Sequence, residues 1–207
     1  MEASWFLAFL ATALVLLLTP GPAVLYIAAR SVEQGVRAGL VAAAGMCAGG
    51  LVHVLAAACG LAALLAASDT AFGLITFAGA AYLVYLGIRT LKNAASAAEP
   101  AAAEIKPLRR IFSESVFVQV LNPKTALFFF AFLPQFIEPE RGSAFGQALG
   151  LGIVFVTLAL ITDSGYALFA GQFRAWLRST TAMLKVQRYL AGVVYIALGV
   201  VTAVSSL

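Results

Sequence analysis

Leu18-Thr19-Pro20-Gly21-Pro22 stands late in the first apolar stretch of the chain, where no loop is expected. Two prolines around a glycine remove two backbone donors and leave a flexible joint between them. In hydrocarbon such a break survives only where protein or a polar cavity covers the freed carbonyls. Leu121-Asn122-Pro123-Lys124 is a second break, in a later apolar stretch. Corresponding interrupted segments in two halves of a membrane chain point to a transport site near the bilayer midplane.

The surroundings of the breaks agree with that reading. The chain has 207 residues, 62% hydrophobic and 11% charged, with a mean hydropathy of +0.98. A soluble domain is about 45–50% apolar and about 25% charged. The class is therefore an all-α polytopic membrane protein. The net charge of +4 would suggest nucleic acid in a soluble chain, but charges are too few here, and their loop positions explain them better. Cys47 and Cys59 fall on one predicted helix, about 18 Å apart along its axis, too far for a disulfide. They read as packing residues. Met1-Glu2-Ala3-Ser4 offers no basic region, so the first apolar stretch reads as a retained helix.

A span needs about 20 mainly apolar residues. Six segments qualify: 4–29, 38–66, 70–91, 113–137, 144–172 and 186–206. They divide into a first three-helix repeat (1–91), a linker (92–112) rich in Ala, Pro and charge, and a second repeat (113–207). Basic residues crowd one side: Arg30 and Arg37; Arg89, Lys92, Lys106, Arg109 and Arg110; Arg174, Arg178, Lys185 and Arg188. The other side has Arg141 beside Asp69, Glu138 and Glu140. The positive-inside rule places the basic loops in the cytosol and both termini outside. Ala78-Gly79-Ala80-Ala81-Tyr82 with Gly87 in segment three matches Ala191-Gly192-Val193-Val194-Tyr195 with Gly199 in segment six. Leu-Thr-Pro in segment one matches Leu-Asn-Pro in segment four, although the breaks sit at different distances from their helix starts. Three helices per half forces the second repeat to insert inverted.

At 1.5 Å per residue, Pro20, Pro22, Lys124 and Asp163 all lie roughly 11–17 Å from the cytosolic ends of their helices. Lys124 and Asp163 are the charges well inside spans, where a lone charge costs about 2.5–3.5 kcal/mol. The functional reading gives Asp163 a proton or ammonium and makes Lys124 a carboxylate site or counter-ion; the structural one ties helices four and five with an ion pair. Asn122 either caps the half-helix after Pro123 or donates to cargo. Free amides beyond Pro20-Gly21-Pro22 and Asn122-Pro123 suit a carboxylate, or the breaks serve as hinges. Gly45, Gly49 and His53 share one face of helix two; the glycines allow close helix approach. His53 reads equally as a hydrogen-bonded packing residue or a proton carrier. Phe128 to Phe130 and Phe132 read as facing lipid or filling helix contacts, and Trp5 and Trp176 as interfacial anchors. No Cys/His metal cluster, phosphate loop or nucleophile elbow occurs in the sequence, so neither an enzyme, a cofactor nor a metal is expected.

Thr19-Pro20-Gly21-Pro22, with Gly35, Gly39, Gly45 and Gly60 after it, resembles the LysE/RhtB family of amino-acid exporters. So do Gly79-Ala80-Ala81-Tyr82-Leu83 with Gly87, Asn122-Pro123-Lys124 with Leu133-Pro134-Gln135-Phe136, and Asp163 with Tyr166. The resemblance runs from about Phe6 to Gly199. It implies a bacterial inner-membrane exporter of amino acids or close derivatives, driven by proton antiport and built as two repeats, with Pro134 a further hinge or packing point. His53 is similar to the homoserine/threonine branch. Gly50 stands where many relatives carry an acid, which argues against a basic cargo. The partners so implied are an amino acid, protons and lipid, with a homo-oligomer left open. A passive channel and a membrane-embedded interaction protein are the competing classes.

Overall fold

The computed structural model describes residues 3–67 and 105–173, except for the side chains of 3, 61–67 and 139, together with scattered positions within 81–92 and at 193, 196 and 200. Segments three and six, with their paired glycine–tyrosine motifs, lie almost wholly outside the described residues, as do Asp69, Trp176, the basic residues of the 5–6 loop and most of the 92–112 linker.

Six helices follow in order, with no strand among the described residues. They are α1 (Ala3–Leu18), α2 (Pro22–Gln34), α3 (Val36–Ala67), α4 (Leu108–Val120), α5 (Pro123–Leu127) and α6 (Ala144–Gln172). A π turn (Phe128–Phe132) and a 3-10 turn (Leu133–Phe136) continue α5. Over Val36–Gly60 α3 is long and apolar enough to cross a membrane, and so is α6. The other helices pair across the two proline breaks, bent by 51° at the first and 43° at the second, and each pair passes the same test as one broken span.

Two boundaries differ from the sequence reading. The loop expected around Arg30–Arg37 is a one-residue turn at Gly35, whose φ of +91° suits glycine. Its amide bonds the carbonyl of Ser31 at 2.9 Å, closing α2. Arg30 and Arg37 are therefore helical, and Arg30 pairs with Glu33. The fourth span opens at Leu108 rather than 113, because Glu114 is already paired there. Tyr26 Oη donates to its carboxylate at 2.8 Å, Lys106 Nζ at 2.7 Å and Arg110 Nε at 2.9 Å.

Small residues set the helix directions. A Cβ on Gly45 would meet the Phe112 carbonyl at 2.5 Å, and one on Gly49 the Val116 carbonyl at 2.7 Å. The two numbers rise together, so α3 and α4 run parallel. Gly39 lies against Ala167, and Val54 against Gly152, so α6 runs antiparallel to α3. These are the directions that the sequence assigns to spans two, four and five.

The buried core has two halves of different texture. The half around α1, α5 and the start of α6 is aromatic, built on Phe9, Phe128, Phe129, Phe132 and Phe155. Phe128 stacks on Phe155 with centroids 4.2 Å apart, so of the phenylalanine run only Phe130 is exposed. The half around α2, α4 and the end of α6 is filled by Ala23, Ile27, Ala38, Ala42, Ala43 and Ala167. Cys47 packs beside the aromatic half, whereas Cys59 is exposed and fills no contact in the core.

Candidate functional site

In a continuous α-helix each amide bonds the carbonyl four residues back. Prolines at 20, 22 and 123 cannot do so, which leaves the carbonyls of Leu16, Leu18 and Gln119 without their i+4 donors; the Thr19 amide at 3.1 Å and the Asn122 amide at 3.0 Å, three residues on, reach the first and the third. Each of the three carbonyls also meets a side chain from another helix. Lys124 Nζ donates to Leu16 O at 3.2 Å and to Thr19 O at 2.9 Å. Tyr166 Oη donates to Leu18 O at 2.8 Å. His53 Nε2 lies 2.9 Å from Gln119 O. A carbonyl only accepts, so Nε2 of His53 is the donor.

The first break has little polar chemistry of its own. Gly21 stands before α2 in extended conformation and provides no side-chain cap. Pro22 has no N–H, and the buried amides of Ala23 and Val24 have no acceptor among the described residues. Thr19 Oγ1 turns back to Val15 O at 2.7 Å. The second break is better supplied. Asn122 Oδ1 accepts the Lys124 amide at 3.1 Å, and its Nδ2 donates to Gln119 Oε1 at 3.1 Å. Gln119 Nε2 in turn donates to Thr125 Oγ1 at 3.1 Å. Asn122 thus caps α5, and its amide is committed within the protein.

Lys124 belongs to the second break and is bonded to the first, so one side chain brings the two together. It is 4% exposed and Asp163 7% exposed. The expected direct ion pair is absent: among the described residues Lys124 bonds carbonyls instead, and Asp163 has no ion pair within 4.0 Å. Two of the three Nζ donors are used. Asp163 has no hydrogen-bond partner among the described residues, and its oxygens are not fully buried.

The remaining candidates lie around this centre. Gly45 and Gly49 press α3 onto α4, which brings His53 within reach of Gln119. The His53 ring stacks on Phe129 at 6.1 Å. Pro134 is buried at the start of the 3-10 turn. Gln119, Thr125 and Tyr166 join the site through their bonds. Gln119 had a signal in the sequence, its place four residues before Pro123; Thr125 had none. Among the described residues no group of His, Cys, Asp and Glu could hold a metal ion.

Residues 14–206 match the family model described as LysE type translocator. The chain is 32% identical over 183 residues to a homoserine/homoserine lactone efflux protein of Salmonella typhimurium, covering 88% of each chain. It is 34% identical over 163 residues to a leucine efflux protein of Salmonella choleraesuis, covering 76% of this chain and 77% of that one. An uncharacterized membrane protein of Vibrio cholerae is 33% identical over 203 residues, 98% of each. No solved structure matches.

Proposed function

Because the chain belongs to the LysE family of translocators, we propose that it exports neutral amino acids or their close derivatives from the cytoplasm by proton antiport, through a midplane site at the two breaks. The coarser part rests on kinship: the family's efflux members are multi-pass membrane transporters of amino acids, not enzymes. The finer part is carried by one observation, the bonds from Lys124 to the carbonyls of Leu16 and Thr19. They make the two broken helices one polar centre in an otherwise apolar bundle.

In this reading the cargo carboxylate takes the third donor of Lys124 and the open amides of Ala23 and Val24. Three donors around one carboxylate are a strong arrangement away from water. The ammonium is met by Asp163, whose oxygens have no donor to displace. A proton taken up by Asp163 from outside releases the ammonium, and its loss to the cytosol resets the site. The chain crosses the bacterial inner membrane six times as two inverted repeats, with both termini periplasmic. Pro20-Gly21-Pro22 and Asn122-Pro123 bend as the halves exchange access.

The test is export from cells overproducing the protein, loaded with leucyl and homoseryl dipeptides and assayed for free amino acids in the medium. Uphill export that collapses with an uncoupler is expected, and is lost with Asp163→Asn. Export that persists with the uncoupler, running only downhill, would make the protein a passive facilitator. No difference from empty-vector cells would remove amino acids as cargo.

A further inference from the structure

The bond that a proline withholds is known to the residue, and so is the carbonyl it leaves behind. Lys124, Tyr166 and His53 fill three such places from three different helices, two of them with groups for which the export reading has no further use. We infer that His53 and Tyr166 are positioning residues: each bonds, from a neighbouring helix, a carbonyl that Pro123 or Pro22 leaves without its i+4 donor, His53 beside the Asn122 amide that also reaches Gln119 O, and thereby fixes the shape of a break. The inference rests on the export reading for its kinetic consequence, and on geometry alone for the bonds.

His53 is placed for this and for little else. Its ring is buried and lies nearly parallel to that of Phe129, at 8°. Its Nε2–H is spent on Gln119 O. The Gly45 and Gly49 contacts fix how far α4 stands from α3, and so fix that bond length. Gln119 itself bonds both Asn122 and Thr125 through its side chain, so holding its carbonyl holds the cap of α5.

Tyr166 does the same for the first break. It sits one turn beyond Asp163 on α6, and its hydroxyl reaches the last carbonyl of α1. Ser31 of α2 bonds the neighbouring Ala167 carbonyl at 2.8 Å. The end of α6 therefore grips both sides of the first break. Asp163 and the hinge it must influence are connected through one helix.

The test uses the full chain with His53→Gln, His53→Leu and Tyr166→Phe. The glutamine Nε2 can stand where the histidine Nε2 stood but does not titrate in this range. Two readouts are taken: thermal unfolding in detergent without cargo, and the rate of leucine and homoserine export from proteoliposomes against pH. His53→Leu and Tyr166→Phe are expected to melt several degrees lower and to export about tenfold more slowly with KM within about twofold. His53→Gln is expected to melt near the parent, to export within about threefold of it and to keep its pH profile. A glutamine variant as slow as the leucine one, or with a displaced pH profile, would show that the ring titrates and would overturn the inference. So would leucine and phenylalanine variants that behave as the parent, or a tenfold change in KM. If His53→Leu yields no folded protein, the glutamine and phenylalanine variants decide alone. If the unaltered protein exports neither amino acid, the export reading fails while the melting order still decides the bonds.

Discussion

The two breaks are made by similar words and held by different means. The second, Leu121-Asn122-Pro123, carries its own polar groups: Asn122 caps α5, and Gln119 and Thr125 close the loop of bonds around it. The first, Thr19-Pro20-Gly21-Pro22, bends more sharply, by 51° against 43°, and depends on donors carried by α5 and α6. A break supplied locally keeps its shape when its neighbours move. A break supplied from elsewhere changes with them. The first break is thus the element whose geometry the rest of the molecule can set, and the second is the fixed point that carries the cation doing part of the setting.

The largest effect should follow Lys124→Met, which keeps the length of the side chain and removes its donors. Two buried carbonyls then lose a charged donor, at about 2–3 kcal/mol in all. Thermal unfolding should fall accordingly, and the loss should be confined to the first break: hydrogen exchange of the Ala23–Leu25 amides should quicken while that of the Lys124–Ala126 amides stays put. Equal quickening at both breaks would mean that the second is not self-contained.

Gly49→Ala probes the bond that reaches the second break from α3. The new methyl would sit 2.7 Å from the Val116 carbonyl and 2.8 Å from Gln119 Cβ. Overpacking of this kind costs about 1–3 kcal/mol. It should push α4 off α3 and draw His53 from Gln119 O. Gly165→Ala is the control, since a Cβ there meets nothing within 4 Å; it should be neutral or gain up to about 1 kcal/mol from helix propensity. Paired melting curves check both, and two equal shifts would remove the close approach as their cause.

Asn122→Ala removes the cap of α5 and should cost about 1 kcal/mol, with Asn122→Asp recovering part of it because a carboxylate also accepts from the Lys124 amide. Denaturation of the three proteins side by side gives the order. A cost near that of Lys124→Met would place the cap above the long-range donors and reverse the comparison.

Much of this site could be read in the sequence because proline is unambiguous. Pro20, Pro22 and Pro123 announce lost donors wherever they stand, and an apolar context makes the loss costly. Lys124 and Asp163 were visible as charges at similar depth. Their relation was not. A direct pair is the economical reading of two opposite charges, but Coulomb attraction alone does not rank a carboxylate above two break carbonyls that the lysine can reach at once. The donors to those carbonyls were hidden for a second reason. Helices α3 and α6 are apolar on all sides, so their periodicity does not tell which face turns inward. The stripe of Gly45, Gly49 and His53 oriented α3, because small residues mark close approach; nothing equivalent named α4 as the partner. The one-residue turn at Gly35 was missed because two arginines beside it read as a loop, whereas both are helical.

Thr19 offers the finest test of the comparison, because it is the one polar side chain that the first break owns. The Thr19 amide bonds Leu16 O at 3.1 Å, three residues back. The helix tightens there, and Val15 O loses the amide it would otherwise receive. The Thr19 hydroxyl takes that place at 2.7 Å. Thr19→Val keeps the shape of the side chain and frees one carbonyl, which belongs to the last regular turn of α1 rather than to the break. The cost should be about 0.5–1.5 kcal/mol, the worth of one hydrogen bond. The amides of α2 should exchange as in the parent, since Lys124 and Tyr166 still hold the carbonyls beyond. A loss as large as that of Lys124→Met, with quickened exchange in α2, would mean that the first break too is held from within, and the two would then differ only in their angle.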